Sequence, residues 1–248
     1  REGLVDRDGQ FVEVFKGFTV VPIIESEPGH LWALGKTRSG AATLFQYKDN
    51  VWKPIVAVAG RRISNLYRIT GGRLWLTLDG DGVLEIDPAT GVDQAVHHLK
   101  GFNVTALMQD AKGLVWCGLW ANGVASWDGT QWAQSLPRVK GSAILTIVED
   151  GRAGLWAATS ANGLWHRPSG ASEWTGDLTD KGSINVLVAT KDGRVWVSGQ
   201  NLPGLRYWSG REWIVSLDSP LPIRTLVEAP DGTLWAGGVL DGLHMLKK

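Results

Sequence analysis

The sequence has one cysteine, two methionines, no excess of either charge and no long apolar run in its 248 residues. A single Cys117 excludes a disulfide within the chain. Basic and acidic residues number 25 each and are spread evenly, so no long-range field gathers nucleic acid or anionic lipid. No run approaches the roughly 18 apolar residues that span a bilayer. We therefore expect neither a nucleic-acid partner nor membrane insertion for this segment.

Glycine and tryptophan are abundant, with 32 and 14 copies, and the tryptophans follow a repeat. Six of them stand after Leu or Val at intervals of about 40 residues, which is the period of a repeat architecture. These six are Trp32, Trp75, Trp116, Trp156, Trp196 and Trp235. Because the repeat runs from end to end without a linker, it predicts one domain over residues 1–248.

Each repeat contains four short apolar segments, which we name strands A to D in chain order. An apolar column nine residues before each repeat tryptophan marks strand A, and the tryptophan itself lies in strand B. Turn dipeptides such as Asp192-Gly193 and Asp128-Gly129 separate the strands. Strand D carries its own aromatic residue in most repeats, for example Trp213. Four antiparallel strands per repeat and no helical periodicity predict an all-β, six-bladed β-propeller with four-stranded antiparallel blades.

The two ends of the chain complement each other in this repeat. The last repeat stops after strand C, and the N-terminal segment GLVDRDGQFVEVF aligns with GVASWDGTQWAQSL of the third repeat. We therefore expect residues 1–16 to supply the closing strand, with residues 10–15 as strand D of the last blade. Closure of the ring would remove exposed sheet edges. Residues 3–7 match strand C, so the chain also fits a segment of a longer repeat array.

The repeat unit D-x-x-G-x-L-W-x-G-T…G-L-x-x-x-D-G-x-x-W resembles the two-component regulator propeller. Matching segments are VEDGRAGLWAATSANGLWHR (148–167), ATKDGRVWVSG (189–199) and EAPDGTLWAGGVLDGL (228–243). The resemblance implies an extracytoplasmic, for example periplasmic, sensor module of a bacterial signalling protein that binds a carbohydrate or another small ligand. It also implies a signalling domain outside this chain. The sequence is more distantly similar to streptogramin lyase propellers, but no matching histidine and glutamate pair is present.

Most of the tryptophans are predicted to be scaffold, and Trp120 is the exception. It falls in the turn between strands B and C, where the other repeats have polar or small residues. Such a ring is a stacking platform for a sugar or planar ligand, or a lid over a neighbouring blade. The same rim holds further candidate ligand-binding residues, each of which is also an ordinary turn residue. They are Arg38, Asp79, Asp81, Asn122, Asn162, Asn201 and Asp241.

Arg224 is the one cation in the polar column of strand A. A guanidinium there would hold a carboxylate or phosphate of a ligand, or pair with a neighbouring acid. The acidic segment from Asp79 to Asp87 lacks the order of ligands of a calcium loop. The five histidines have no metal-ligand spacing, and no serine lies on a nucleophile elbow. We therefore predict no metal, no cofactor and no catalytic residue.

Three functions are compatible with these features. The first is a non-enzymatic propeller that binds a small molecule or glycan at the channel rim. The second is a platform for a protein partner, which is favoured if Trp120 and the strand C aromatics form a flat patch. The third is a lyase or hydrolase whose acids and histidine converge from different blades.

Overall fold

A computed structural model describes residues 4–5, 11–12, 18–27, 29–39, 42–58, 62–136, 139, 141–238 and 242–246. These ranges contain 25 β-strands and one 3₁₀ turn, Thr179–Lys181. No helix in them is long and apolar enough to cross a membrane. The prediction of an all-β protein is confirmed.

The strands have the following bounds: β1 Leu4–Val5, β2 Phe11–Val12, β3 Thr19–Glu27, β4 His30–Lys36, β5 Ala42–Lys48, β6 Val51–Val58, β7 Ile63–Arg68, β8 Leu74–Leu78, β9 Val83–Asp87, β10 Gly91–His98, β11 Val104–Gln109, β12 Val115–Leu119, β13 Gly123–Trp127, β14 Trp132–Leu136, β15 Ile144–Glu149, β16 Leu155–Thr159, β17 Leu164–Arg167, β18 Thr175–Asp177, β19 Ile184–Ala189, β20 Val195–Gly199, β21 Leu202–Trp208, β22 Trp213–Leu217, β23 Ile223–Glu228, β24 Leu234–Gly238 and β25 Leu243–Leu246.

The repeats form separate sheets whose strands are neighbours in chain order. The first to fifth sheets are β3–β6, β7–β10, β11–β14, β15–β18 and β19–β22, and each has four strands. The sixth sheet, β23–β25, has three strands among the described residues. Paired neighbours are antiparallel, as in the pairing of Trp116 with Ser126. The predicted four-stranded antiparallel unit is therefore confirmed for five repeats.

The N-terminal segment pairs with itself in the described ranges. Val5 lies opposite Phe11 and Leu4 opposite Val12, so β1 and β2 form a two-stranded sheet. This pairing matches the predicted relation of a strand C remnant to a strand D. The rest of the predicted closing strand lies outside the described residues, and closure of a ring stays a prediction.

The chain divides into two compact units, residues 1–104 and residues 105–248. In the first unit, Trp32 packs with Leu44, Leu66 and Leu76 in one buried cluster. In the second unit, Trp116 and Trp156 belong to successive clusters between sheets. The single domain expected over residues 1–248 therefore stays a prediction.

Strand B is the buried strand of each sheet. All five residues of β8, β12, β16 and β20 are buried, and Trp75, Trp156 and Trp196 are 0% exposed. A fully buried indole contributes roughly 2–3 kcal/mol through removal of apolar area from water. This burial confirms the scaffold interpretation of these tryptophans.

Trp235, the strand B tryptophan of the sixth sheet, differs because it is 39% exposed. In the second unit, an aromatic ring of the following sheet covers the strand B indoles of the third and fourth sheets. Trp174 lies 6.5 Å from Trp116, and Trp213 lies 5.4 Å from Trp156, between ring centroids. The sixth sheet is the last of this unit, so Trp235 has no following sheet there.

A carboxylate at the end of strand A fixes the indole of strand B. Asp150 Oδ2 accepts a hydrogen bond of 2.9 Å from Trp156 Nε1, and its Oδ1 accepts bonds from the backbone N–H of Arg152 and Gly154. Asp110 makes the same three bonds one repeat earlier. In the fifth sheet Thr190 Oγ1 accepts the bond of Trp196 Nε1 instead. The turn between strands A and B is therefore tied to the buried indole.

We predict that Asp150→Ala lowers the free energy of unfolding by about 3 kcal/mol, because it leaves a buried indole N–H and two turn N–H groups without an acceptor. Urea unfolding measures the loss. Asp128→Ala is the matched control, since Asp128 accepts bonds from Thr130 and Gln131 in an exposed turn without touching a buried ring. Equal losses in the two variants would show that the bond to the indole contributes nothing.

Candidate functional site

The turns between strands B and C and the connections from strand D to the next strand A meet at one rim of the second unit. Ala121 donates its N–H to Ser142 O at 3.1 Å, and Ser142 Oγ lies 3.2 Å from Ser160 Oγ. Trp120 forms an isolated antiparallel bridge with Ala143. These bonds join the third sheet to the fourth at the rim that the sequence predicted.

The same pattern continues to the fifth sheet. Gly163 donates its N–H to Gly182 O, and Gln200 donates its N–H to Ser183 O, both at 2.8 Å. A Cβ built on Gly182 would lie 3.2 Å from Asn201 Nδ2. The turns that hold the predicted residues Asn162 and Asn201 therefore approach the same connection, on either side of Gly182.

Trp120 is the exposed aromatic side chain of this rim. It is 57% exposed, although its backbone is held by the bridge to Ala143. The following residue, Ala121, has a left-handed φ of 58°, and Asn122 Nδ2 donates to Trp120 O at 3.2 Å. Asn122 therefore shapes the turn, and the Trp120 ring is open to solvent as a platform would be.

A β-bulge near the start of strand A turns one side chain of β15, β19 and β23 out of the ladder. In β23, Ile223 pairs with Gly238 and Thr225 pairs with Gly237, so Arg224 is the extra residue. Leu145 and Asn185 hold the same place in β15 and β19. Bulges re-aim side chains in this way and are common next to functional sites.

The three bulge residues lie on neighbouring strands, because β15 contacts β19 and β19 contacts β23. Arg224 is exposed and Leu145 is 39% exposed. Ser183 Oγ donates to Asn185 Oδ1 at 3.2 Å and orients that amide. The sequence placed Arg224 in a polar column of strand A, but it gave no sign of the bulge or of the exposed Leu145.

The candidates of the first unit have local roles. Asp81 Oδ1 accepts the N–H of Gly101 at 3.0 Å, and its Oδ2 lies 3.6 Å from His97 Nε2. Asp79 Oδ2 lies 4.0 Å from Arg62 Nη1. These contacts favour the turn interpretation for Asp79 and Asp81. Arg38 is exposed in a turn of the same unit, and Asp241 lies outside the described residues.

The second repeat, which lacks the strand D aromatic, packs a histidine of strand D against its own strand B indole. His98 stacks on Trp75 with ring centroids 4.9 Å apart, and its Nε2 lies 2.8 Å from Glu85 Oε2. Arg73 Nη1 binds the other oxygen of Glu85 at 3.1 Å. This break in the repeat is a buried structural contact.

No group of three or more His, Cys, Asp or Glu within the described residues is placed to hold a metal ion. Cys117 is fully buried, and that burial raises the pKa of its thiol above the ordinary range.

Comparison with known proteins rests on structure. No protein-family model matches the sequence, and no curated protein matches it. PorZ, an essential bacterial surface component of the type-IX secretion system of Porphyromonas gingivalis, superposes with a TM-score of 0.64 at 19% identity. The match covers 94% of this chain and 39% of the PorZ chain, so this chain spans about two fifths of PorZ.

Two further matches have similar coverage of this chain. A catalytically inactive virginiamycin B lyase from Staphylococcus aureus with quinupristin has a TM-score of 0.69 at 12% identity and covers 95% of this chain and 80% of its own. The extracellular domain of the putative hybrid two-component system BT4673 from B. thetaiotaomicron has a TM-score of 0.53 at 12% identity and covers 94% and 44%.

The fold is that of a β-propeller. The structural neighbours include an extracellular domain of a two-component system, as the resemblance of the repeat to the two-component regulator propeller predicts. At these identities the likeness concerns the fold alone, and ligands or reactions of the neighbours are not carried over by it.

His166 is the titratable ring packed most closely against the propeller scaffold of the second unit. It stacks on Trp156 at 3.8 Å and 13°, and its Nε2 lies 3.9 Å from Asp150 Oδ2. Burial lowers the pKa of His166 below its ordinary value, and the charges of Asp150 and Asp177 oppose this shift. The native state therefore favours the neutral ring.

We predict that this ring makes stability fall in mild acid. Because the folded-state pKa of His166 lies below that of the unfolded chain, the unfolded chain binds the proton more readily, and stability is lost as pH falls below about 6.5. His166→Phe keeps a ring against Trp156 without the titration. Urea unfolding at about pH 7.5 and about pH 5 should show a smaller loss in the variant than in the parent. An equal loss in both proteins would contradict the assignment.

Proposed function

We propose that this chain is a non-enzymatic recognition propeller that binds a small molecule or glycan at the rim of Trp120. The observation that carries the proposal is the row of bulge residues on three neighbouring inner strands, together with the exposed Trp120, which bridges to Ala143 two residues before Leu145. The row combines an aliphatic side chain, an amide and a guanidinium, from Leu145 to Arg224. Concave rims lined by a few polar groups are the usual place of ligand sites.

The chemistry of the row indicates the ligand class. An exposed indole such as Trp120 offers its face to the apolar face of a sugar ring. The amide of Asn185 can donate and accept hydrogen bonds with hydroxyl groups. Arg224 presents a planar fork that matches a carboxylate or phosphate. We therefore propose a glycan, or a small sugar-like molecule, that carries an acidic group.

We further propose that the propeller is an extracytoplasmic sensor-type module whose signalling domain or protein partner is another polypeptide segment. Support comes from the resemblance of its repeat to the two-component regulator propeller. It also comes from the shared fold of the extracellular domain of BT4673 and of the surface component PorZ. In this proposal, a partner responds to ligand binding, and no reaction takes place at the rim.

A second candidate function is a protein interaction platform. The sixth sheet exposes several apolar side chains, including Val227 at 57%, Leu243 at 66% and Met245 at 50%. Leu205 and Leu217 of the fifth sheet line a groove of about 330 Å³ beside them. Exposed apolar patches of this kind often contact another protein. A lyase or hydrolase is the third candidate, and the shared fold of virginiamycin B lyase is its support.

We also propose that six blades close into a ring, with residues 10–15 as the fourth strand of the sixth sheet. The supporting facts are the three-stranded sixth sheet and the sequence match between residues 3–15 and the strands C and D of the third repeat.

Deletion of residues 1–16 should then lower the melting temperature and promote aggregation, because it exposes the edge of β25. Removal of Lys247 and Lys248 is the control deletion. Thermal unfolding and light scattering measure both effects. A truncated chain as stable as the parent would refute closure by this segment.

For the rim, we predict that Trp120→Ala abolishes thermal protection by a bound sugar. We also predict that Arg224→Gln lowers the affinity for uronic acids by about tenfold and leaves the affinity for neutral sugars unchanged. A thermal-shift screen with neutral and acidic sugars, followed by calorimetry, measures both effects. Both side chains are exposed, so their replacement should leave the fold intact.

Val215→Ala is the matched control, since Val215 is 50% exposed on the outer strand β22, away from the rim. Thermal protection that is retained in Trp120→Ala would show that the ligand binds away from Trp120. Absence of protection by every sugar tested would reject the glycan and favour the interaction platform.

A further inference from the structure

A cavity lies between the fourth and fifth sheets, at the end of the strands opposite the rim that holds Trp120. It has a volume of about 240 Å³ and is enclosed by three turns. Two are the turns between strands A and B, at Asp150 to Arg152 and Asp192 to Arg194. The third is the turn between strands C and D of the fifth sheet, at Trp208 to Gly210.

At the junction that holds this cavity, the repeat lacks an acid found at other junctions. At two other junctions a glutamate at the end of strand A accepts a backbone N–H of the preceding sheet. Glu149 binds Ala111 and Glu228 binds Lys191, each at 2.8 Å. The corresponding residue of the fifth sheet is Ala189. The junction of the fourth and fifth sheets therefore lacks the carboxylate that this position supplies elsewhere.

Two glycines close this junction instead. Gly151 donates its N–H to Gly193 O at 3.5 Å, and a Cβ built on Gly151 would lie 2.5 Å from Gly193 Cα. The two turns thus approach backbone to backbone, which fixes the distance across the mouth of the cavity. Glycine is required for an approach this close.

The carboxylates of the cavity are already engaged by the protein. Asp150 accepts the three N–H bonds described above. Asp192 Oδ1 accepts bonds from Thr190 Oγ1 and from the N–H of Arg194, and its Oδ2 lies 3.5 Å from Arg194 Nη1. Arg194 also lies over the ring of Tyr207 at 4.7 Å. Arg194 is therefore partly neutralised and held in place.

Arg152 is the cation whose charge is not balanced in this way. Among the residues that the structure describes, no carboxylate oxygen lies within 4.0 Å of its guanidinium nitrogens. The guanidinium packs against Gly210, where an added Cβ would lie 2.6 Å from both Nη1 and Nη2. Gly210 has a φ of 97°, in a turn held by Ser209 Oγ. The absence of a side chain at Gly210 thus makes room for the Arg152 guanidinium.

We propose that this cavity is a binding site for a small oxyanion, the carboxylate or phosphate group of a compact ligand, with Arg152 as its anchor. Arg194 supplies the second cation, and Trp208, packed 5.6 Å from Trp156, supplies a rigid wall. The volume is below the roughly 300–1,000 Å³ of sites for drug-sized ligands. The site therefore accommodates one anionic group with a body no larger than a monosaccharide. It goes beyond the rim function and is independent of it.

Calorimetry with inorganic phosphate and with galacturonate, and with galactose as the neutral comparison, tests the proposal. We expect saturable binding of at least one anion with a dissociation constant in the millimolar range, which weakens as ionic strength rises. Galactose should not bind here. Binding of phosphate alone assigns a phosphoryl ligand, and binding of galacturonate alone assigns a carboxylate. Trp120→Ala should leave the anion affinity unchanged, which separates this site from the rim.

Arg152→Gln should weaken the bound anion by about tenfold or more, because a charged fork becomes a neutral amide. Gly210→Ala should have the same effect through displacement of the guanidinium. Its matched control is Gly129→Ala, at the same turn position of the third sheet, where φ is 98° and no atom lies within 4 Å of an added Cβ. The proposal is overturned if neither anion binds saturably, or if Arg152→Gln binds as tightly as the parent.

Discussion

The packing of strand B indoles between successive sheets is the contact on which the second unit depends. Trp156 illustrates these contacts. Its ring lies between His166 of its own sheet and Trp213 of the next, and its N–H is satisfied by Asp150. Large buried rings with a satisfied polar atom supply much apolar burial without an unpaired donor. The same carboxylate caps the adjoining turn, so one residue couples sheet packing to loop geometry.

This arrangement separates stability from recognition along each strand. The centres of the sheets are filled by aliphatic and indole side chains, while both ends are turns whose backbone groups bond to the neighbouring sheet. At one rim the hydroxyl groups of Ser142 and Ser160 lie within hydrogen-bond distance, and at the other Glu149 accepts the backbone N–H of Ala111. Variation at either end leaves the packed centre untouched. The proposed sites occupy such ends, at Trp120 and at Arg152.

The repeat itself was readable because burial imposes a residue type at a fixed spacing. A buried strand B requires Trp between small and aliphatic residues, and a tight turn requires glycine. The equivalent positions of the repeats are therefore recognisable in a single sequence. Strand types, the four-stranded antiparallel unit and the scaffold role of most tryptophans were predictable on that basis. Asp79 and Asp81 were harder to interpret, because the residues of a tight turn and of a polar binding site are the same. Asp81 proved to cap the backbone of Gly101.

By itself, the sequence determined the all-β repeat, the sheet boundaries and the buried tryptophans, because each follows from local periodicity and turn chemistry. Only the tertiary structure decided which polar groups are engaged by the protein itself. The bulges that expose Leu145 and Arg224 depend on the register between strands, which no single strand encodes. Likewise, Arg152 meets Gly210 only because two turns from different sheets come together. Contacts between residues about 60 positions apart leave no mark on a 40-residue period.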